Sequence, residues 1–296
     1  MRILISGASG QLGREFCRTA PPSVTLLAPS REQLDVTRPD VVLRAVDGFR
    51  PDWIINAAGY TAVDRAESEP AEAFAVNRDG AANLAVGANE TGARLLHVST
   101  DFVFAGEAGR PYGPEDEAAP ISVYGRSKLE GELAVRSALP EAIILRTAWL
   151  YSIHGTNFVK SMLQLLTERD RVTVVDDQIG TPTWTQDLAN AIWSMVEARL
   201  TGVHHWTNAG LASWYDFAAA IRKEAISLEM IAHPAELVPI RTEEFPAAAA
   251  RPAFSVLDKS HTWRALGYTP PHWQESLGAM LRDLVRTRPD SLRILA

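Results

Sequence analysis

Tyr124-Gly125-Arg126-Ser127-Lys128 sets a phenol and an ammonium four residues apart. On a helix that spacing puts both side chains on one face. A phenol with a pKa of about 10 is a poor acid or base at neutral pH. A cation one turn away favours its phenolate and brings proton exchange nearer the working range. Lysine occurs only at positions 128, 160, 223 and 259, which makes one inside such a pattern informative. The bland alternative is an exposed helical pair. Thr100 adds a third group, because it follows Leu95-Leu96-His97-Val98-Ser99, which reads as a strand, and so lies at a carboxyl end. Open α/β sheets bind their ligands at those ends. A threonine hydroxyl there can donate a hydrogen bond to a carbonyl oxygen while Tyr124 delivers the proton.

A phosphate-binding turn stands at the other end of the half. Gly7-Ala8-Ser9-Gly10-Gln11-Leu12-Gly13 joins the first apolar run to the first helical stretch. Its glycines permit a tight turn and let backbone N–H groups approach a pyrophosphate at the positive helix end. The spacing is G-x-x-G-x-x-G, not the commoner G-x-G-x-x-G, and a merely tight turn is the competing reading. Dinucleotide folds that take NAD usually carry an acid about 20 residues on, for the ribose 2′-hydroxyl. Here the second strand ends Ala28-Pro29-Ser30-Arg31. A hydroxyl and a guanidinium suit a 2′-phosphate, so NADPH is the expected cofactor, with Glu32 next door arguing the other way. Asn56-Ala57-Ala58-Gly59 ends the third strand with small residues that let a cofactor lie close, and Lys128 can also hold ribose hydroxyls.

These groups need a frame. Arg2–Ser6, Val24–Ala28, Trp53–Asn56, Arg94–Ser99 and Ala142–Arg146 read as buried strands. They alternate with helical periodicity over Gln11–Thr19, Val41–Phe49, Pro70–Glu90 and Tyr124–Leu139. Short apolar runs alternating with helices predict a Rossmann-type doubly wound parallel sheet, an α/β fold. The second half predicts a smaller mixed α/β region: helices over Asn157–Arg169, Thr185–Leu200, Ser213–Ile226 and Trp273–Val285, strands over Val172–Val175 and Val203–Trp206, and an irregular loop over Pro246–Pro252. The expected division gives residues 1–150 and about 171–200 to the dinucleotide-binding domain, and about 151–170 with 201–296 to the substrate domain.

Composition narrows the class. The 296 residues are 46% hydrophobic and 22% charged, ordinary for a globular chain. A formal net charge of −7 disfavours nucleic acid as a partner. No apolar run approaches the roughly 20 residues that span a bilayer, and the Met1–Ile5 run is too short for a secretory signal, so a cytoplasmic, membrane-free protein is expected. One cysteine, Cys17, excludes an intrachain disulfide framework and a cysteine-based zinc site. The seven histidines show no helical H-x-x-x-H, and no catalytic metal is expected. His204 and His205 on one strand point to opposite faces. Most of the eight tryptophans are expected in packing.

Taken together these motifs resemble the extended short-chain dehydrogenase/reductases, and within them the dTDP-4-dehydrorhamnose reductase family, over essentially the whole chain. The resemblance is carried by Gly7–Gly13, Leu34-Asp35-Val36, Asn56–Glu69, Ser99–Phe104, Tyr124–Glu132, Arg146–Tyr151, Asn157-Phe158-Val159, Asp177–Thr183, Ser213-Trp214-Tyr215, and Arg251-Pro252 with Ser255. It implies reduction of the C4 ketone of dTDP-4-dehydro-L-rhamnose with NADPH, NADH being accepted as well. By that resemblance Gly10, Gln11 and Leu12 touch the cofactor phosphates, Asp35 and Val36 lie along the adenine, and Ala57, Ala58 and Gly59 line the cofactor further on. Thr100, Asp101 and Trp149 would contact the dTDP-sugar, Arg251 its diphosphate, and Tyr124 with Lys128 would do the chemistry.

Some members of that family dimerise around magnesium held by glutamates. Glu15 matches one such position, Gln186 stands where a second would be, and Asp283–Ala296 contains no glutamate. A monomer or a metal-independent homodimer is therefore expected, with Glu15 an ordinary first-helix carboxylate. The alternatives are another nucleotide-sugar reductase, dehydratase or epimerase, and a non-catalytic NADP-binding regulatory subunit. Phe102 after Asp101 opposes the dehydratase, Ser30-Arg31 the NAD-retaining epimerase, and the intact Thr100, Tyr124 and Lys128 the regulatory subunit.

Overall fold

In the computed structural model, which describes residues 1–287, the first half runs β1 (Arg2–Ser6), α1 (Gln11–Arg18), β2 (Thr25–Leu27), α2 (Pro39–Phe49), β3 (Trp53–Asn56), α3 (Val63–Ser68), α4 (Pro70–Phe74), a π-helical turn (Ala75–Asp79) and α5 (Gly80–Thr91). β4 (Arg94–Thr100), a 3₁₀ turn (Asp101–Val103), α6 (Val123–Ala138) and β5 (Ile143–Thr147) complete it. The second half follows as β6 (Leu150–Tyr151), α7 (Phe158–Glu168), β7 (Arg171–Val175), β8 (Ile179–Gly180), β9 (Thr183–Trp184), α8 (Thr185–Glu197), β10 (Gly202–His205), β11 (Ala212–Ser213), α9 (Trp214–Ser227), β12 (Glu236–Ile240), α10 (Ser260–Leu266) and α11 (Trp273–Thr287).

The central sheet has six parallel strands in the order β10-β5-β4-β3-β1-β2. Its strands are apolar on both sides because helices cover both faces. Ile3 and Ile5 pack with Leu12 and Phe16 of α1 and Leu188 and Ile192 of α8, whereas Leu4 packs with Val42 and Val46 of α2, Leu84 of α5 and Val135 of α6. The strand order reverses between β1 and β3. That switch point opens a crevice beyond their carboxyl ends, where a doubly wound sheet takes its ligand. The smaller region closes a separate core, in which Val159 and Leu163 of α7, Phe217 and Ile221 of α9, and Leu277 and Leu281 of α11 meet.

Two strands lie on the other side of the expected division. β7 pairs with β12, and Val172 and Val174 enter the core of the smaller region. β10 pairs in parallel with β5 and forms the sheet edge of the larger one. Burial in β7 alternates along most of its length, as suits a two-stranded ribbon and not a covered central strand. β10 carries His204 and His205, polar residues whose partners are Thr262 and Thr201 for the first and the Tyr112 carbonyl for the second. Residues 171–175 therefore belong with the smaller region and 202–205 with the larger.

Candidate active site

The crevice between β1 and β3 holds a cavity of about 380 Å³ whose walls include Gly7, Gly10, Arg31, Asp35, Val36 and the Ala57–Gly59 run. Gly7 has φ +74°, and a Cβ there would come within 2.6 Å of the Ala57 backbone, so the turn is held as close to β3 as atoms allow. Gly13 lies behind it, where a Cβ would come within 2.3 Å of the Gly7 carbonyl oxygen. Gly10 caps α1 without a side-chain hydrogen bond, leaving the first-turn N–H groups of Gln11, Leu12 and Gly13 at the helix start. The Leu12 side chain is in the core, and the Gln11 side chain accepts from Asn157 Nδ2 at 2.9 Å, so neither side chain is turned to the cavity and what each offers a ligand is its backbone N–H. A dinucleotide fits this shape: a wall of small residues, a helix N-terminus, and an arginine at the far end.

Ser30 and Arg31 are not brought into one cavity. Ser30 lines a neighbouring hollow of about 590 Å³ with Arg14 and His154, and Ser9 lies between the two spaces. The Ser30 hydroxyl donates to Glu32 at 2.6 Å, which holds that carboxyl below its usual range. Asp35 accepts from the Thr37 hydroxyl at 2.8 Å and from its N–H at 3.0 Å, a local turn that fixes Val36 against Gly80.

Tyr124, Thr100 and Lys128 meet where α6 crosses the end of β4. Ser122 caps α6 through Gly125 N–H at 3.1 Å, which begins the helix at Val123 and puts Tyr124 in its first turn. Lys128 is buried and donates to the Val98 carbonyl at 2.6 Å. Burial brings its pKa down to about 8, with the Glu132 charge opposing. Burial pushes the Tyr124 phenol up to about 12; a side-chain hydrogen bond with Thr100 opposes this and the charge of Asp101 adds to it. The lowering expected from Lys128 is not what governs the phenol: burial is, while the ammonium is seated on the Val98 carbonyl. The Thr100 hydroxyl donates to Asp101 Oδ1 at 3.0 Å. Asp101 is buried, and burial raises its pKa to about 6, against hydrogen bonds from Ser255 and Thr100.

The expected substrate contacts are engaged with one another. Trp149 has φ +47°, uncommon for a bulky residue. Its ring stacks on Trp214 at 3.6 Å, and a Cβ at Gly180 would approach it to 2.5 Å. Arg251 pairs with Asp64 of α3, Nη2 to Oδ2 at 2.6 Å. The Asp64 carboxylate also accepts the N–H groups of Ala248 and Ala249 at 3.1 and 3.0 Å, so it organises the irregular loop.

Glu15 is no surface carboxylate. It is fully buried, paired with Arg18 Nε at 2.8 Å and accepting from the Ser152 hydroxyl at 3.2 Å. Arg18 reaches on to the Gln186 side-chain oxygen. A guanidinium therefore bridges Glu15 and Gln186. Among the described residues no three His, Cys, Asp or Glu group as a metal site. The expectation for the 283–296 stretch lies outside the described residues beyond Thr287.

Two groups that the sequence reading passed over brace the site. Asn77, in the π-helical turn, exchanges hydrogen bonds with the Tyr60 N–H at 2.8 Å and carbonyl at 3.1 Å, and donates to Ser127 Oγ at 2.9 Å. It ties the cavity wall to α6, and its one signal in the sequence is a buried amide inside an apolar helical stretch. Glu132 of α6 and Arg146 of β5 form the second, a buried ion pair at 2.7 Å.

The chain matches the family described as RmlD substrate binding domain over residues 1–286. It is 41% identical over 284 residues, 93% of this chain and 97% of the other, to a dTDP-4-dehydrorhamnose reductase of Aggregatibacter actinomycetemcomitans. It is 42% identical over 291 residues, 96% of each chain, to a probable dTDP-4,6-dihydroxy-2-methyloxan-3-one 4-ketoreductase of Streptomyces antibioticus. A crystal structure of dTDP-4-dehydrorhamnose reductase from Bacillus anthracis, in complex with NADP, superposes with a TM-score of 0.89 at 38% identity, covering 95% of this chain and 99% of that one. No helix among the described residues is long and apolar enough to cross a membrane.

Proposed function

The chain belongs to the dTDP-4-dehydrorhamnose reductase family, and from that premise we propose that it reduces the C4 ketone of dTDP-4-dehydro-L-rhamnose to the alcohol of dTDP-L-rhamnose, with NADPH as reductant. The observation that carries the chemistry is that α6 sets Tyr124 against Thr100 at the carboxyl end of β4 and seats Lys128 on the Val98 carbonyl of the same strand. Gly7, Gly10 and the first N–H groups of α1, those of Gln11, Leu12 and Gly13, hold the pyrophosphate. Asp35 and Val36 would flank the adenine, Ala57, Ala58 and Gly59 would line the cofactor further along, Lys128 would take ribose hydroxyls, and Arg31 would read the 2′-phosphate, Ser30 joining it only on leaving Glu32. When bound, NADPH supplies the hydride that reduces the ketone carbon.

The residues supply the proton and the field. A buried phenol with a pKa of about 12 stays neutral at working pH, which is the state an acid needs when the product is an alcohol. Tyr124 gives its proton to the oxygen as that oxygen becomes an alkoxide. Thr100 turns from Asp101 to donate to the same oxygen. Asp101 and Trp149 contact the sugar, and Arg251 leaves Asp64 for the diphosphate, which its fork suits. The protein acts in the cytosol on a dTDP-sugar, as a monomer or a metal-independent dimer.

The Streptomyces antibioticus relative keeps a second reading open, reduction of a different dTDP-4-keto sugar. Purified protein, NADPH and dTDP-4-dehydro-L-rhamnose decide between them: NADPH oxidation with dTDP-L-rhamnose as product supports the first. Turnover only with other dTDP-4-keto sugars supports the second. No oxidation with any of them removes both.

A further inference from the structure

Three consecutive residues of β4 hold three residues of α6. The Val98 carbonyl accepts from Lys128, Ser99 Oγ donates to Glu132, and the Thr100 hydroxyl lies close enough to Tyr124 to act on its phenol. Tyr124, Lys128 and Glu132 stand at four-residue intervals and so share one face of the helix. Arg146 closes on the Glu132 carboxylate from β5, with Nε at 2.9 and 3.2 Å from its two oxygens and Nη2 at 2.7 Å. Ser99, Arg146 and His205 lie side by side in the register of β4, β5 and β10. Arg146 also reaches the Pro114 carbonyl and His205 Nε2, each at 3.4 Å, and lies 5.1 Å from the Phe104 ring centroid. None of Ser99, Glu132 and Arg146 lines the dinucleotide cavity.

A buried ion pair is by itself weak support for stability, since apolar packing of equal volume often does as well. Apolar packing, however, tolerates small slips of a helix along a strand, whereas a forked guanidinium on a carboxylate fixes distance and angle. A misplacement of about 1 Å can cost about 10²-fold in rate. We propose that Glu132, gripped by Ser99 and Arg146, is a positioning residue for the reduction, which sets α6 against β4 and supplies the counter-charge to the buried Lys128 ammonium. This rests on the roles given above to Tyr124 and Lys128.

The charges around the pair agree. Burial lowers the Lys128 pKa and the Glu132 charge raises it, so removing that charge lets the proton leave at lower pH. The other ionisable group on Lys128 is His97 of β4, held well below its ordinary range by burial and then by Lys128 itself. Behind Glu132 stand Arg146 and His205, the latter held down to about 3 by burial. Asp101 acts on Tyr124 from the 3₁₀ turn, and Arg78 pairs with Glu130 on the exposed side of α6.

The test uses Glu132→Gln, Glu132→Asp and Ser99→Ala, with Tyr124→Phe alongside. Two quantities are followed from about pH 6 to about pH 10: the calorimetric Kd for NADPH and kcat/KM for the keto sugar. In Glu132→Gln the alkaline limbs of both should move to lower pH, and kcat at neutral pH should fall by roughly 10- to 100-fold. Glu132→Asp keeps the charge and the limbs but loses part of kcat. Ser99→Ala keeps the ion pair and loses kcat a few-fold with KM unchanged, so it and Glu132→Asp carry the test if Glu132→Gln does not fold. Wild-type kcat per folded molecule and unmoved limbs in these variants overturn the proposal, given an inactive Tyr124→Phe. An active Tyr124→Phe instead overturns the catalytic reading beneath it.

Discussion

The two walls of the active site are built differently. Where the cofactor wall nears the sheet it is backbone and small side chains, Gly7 and Gly10, Ala57 to Gly59, and a helix start, with larger side chains such as Arg31 and Asp35 further out. On the substrate wall the functional groups are occupied by each other, Thr100 with Asp101, Trp149 with Trp214, Arg251 with Asp64. The first wall is preorganised and can bind a ligand at little rearrangement cost. The second must exchange internal partners for substrate, so its affinity is a difference between two sets of contacts and its selectivity lies in which sets match.

That contrast can be broken at its sharpest point first. Tyr124→Phe removes a proton and no wall, and kcat should fall by about 10²–10⁴ with little change in either binding constant. Near-normal turnover would take the phenol out of the reaction. Next comes the exchange itself. Arg251→Ala should raise the KM for the nucleotide-sugar by about 10- to 100-fold, the worth of a charge-assisted contact, with kcat kept. Asp64→Asn frees Arg251 and should leave KM within about three-fold of wild type or lower it. Equal losses in the two variants would mean that the pair only shapes the 246–252 loop.

On the cofactor wall the expected change is smaller. Arg31→Ala should raise the KM for NADPH about ten-fold and leave that for NADH unchanged. Identical responses to both cofactors would show that Arg31 does not read the 2′-phosphate. The smallest effect is expected from chelation. Arg18 already bridges Glu15 and Gln186, so EDTA should change neither activity nor hydrodynamic size. Dissociation that magnesium reverses would show that other oxygens hold a metal there.

What could be read from the chain follows the same line. The glycine turn, the five apolar strands and the Tyr124–Lys128 spacing are local patterns, and the turn stands at the β1–β3 switch point while the pair meets Thr100 at the end of β4. β10 reads as a strand from its sequence, but its place beside β5 does not, since the partners of its two histidines, Thr262 and Tyr112, are 58 and 93 residues away. Partners of that kind have no sequence signature. The same holds for Asn77 and for Glu132 with Arg146: each residue type was visible, but what it touches is decided by packing. The direction of the Tyr124 shift failed for a related reason, since burial in a crowded pocket is a property of the whole fold.

The late position of β10 also has a consequence for synthesis. The central sheet needs this strand to cover the edge of β5, yet α7, β7 and α8 must all be made before residue 202 appears. A nascent chain therefore carries an open, apolar β5 edge while more than fifty intervening residues leave the ribosome. Unpaired edges of this sort are templates for association with other chains. A polypeptide cut after α6 and β5 would keep that edge for good, whereas the full chain closes it with its own residues and has no contiguous fragment that could do so earlier.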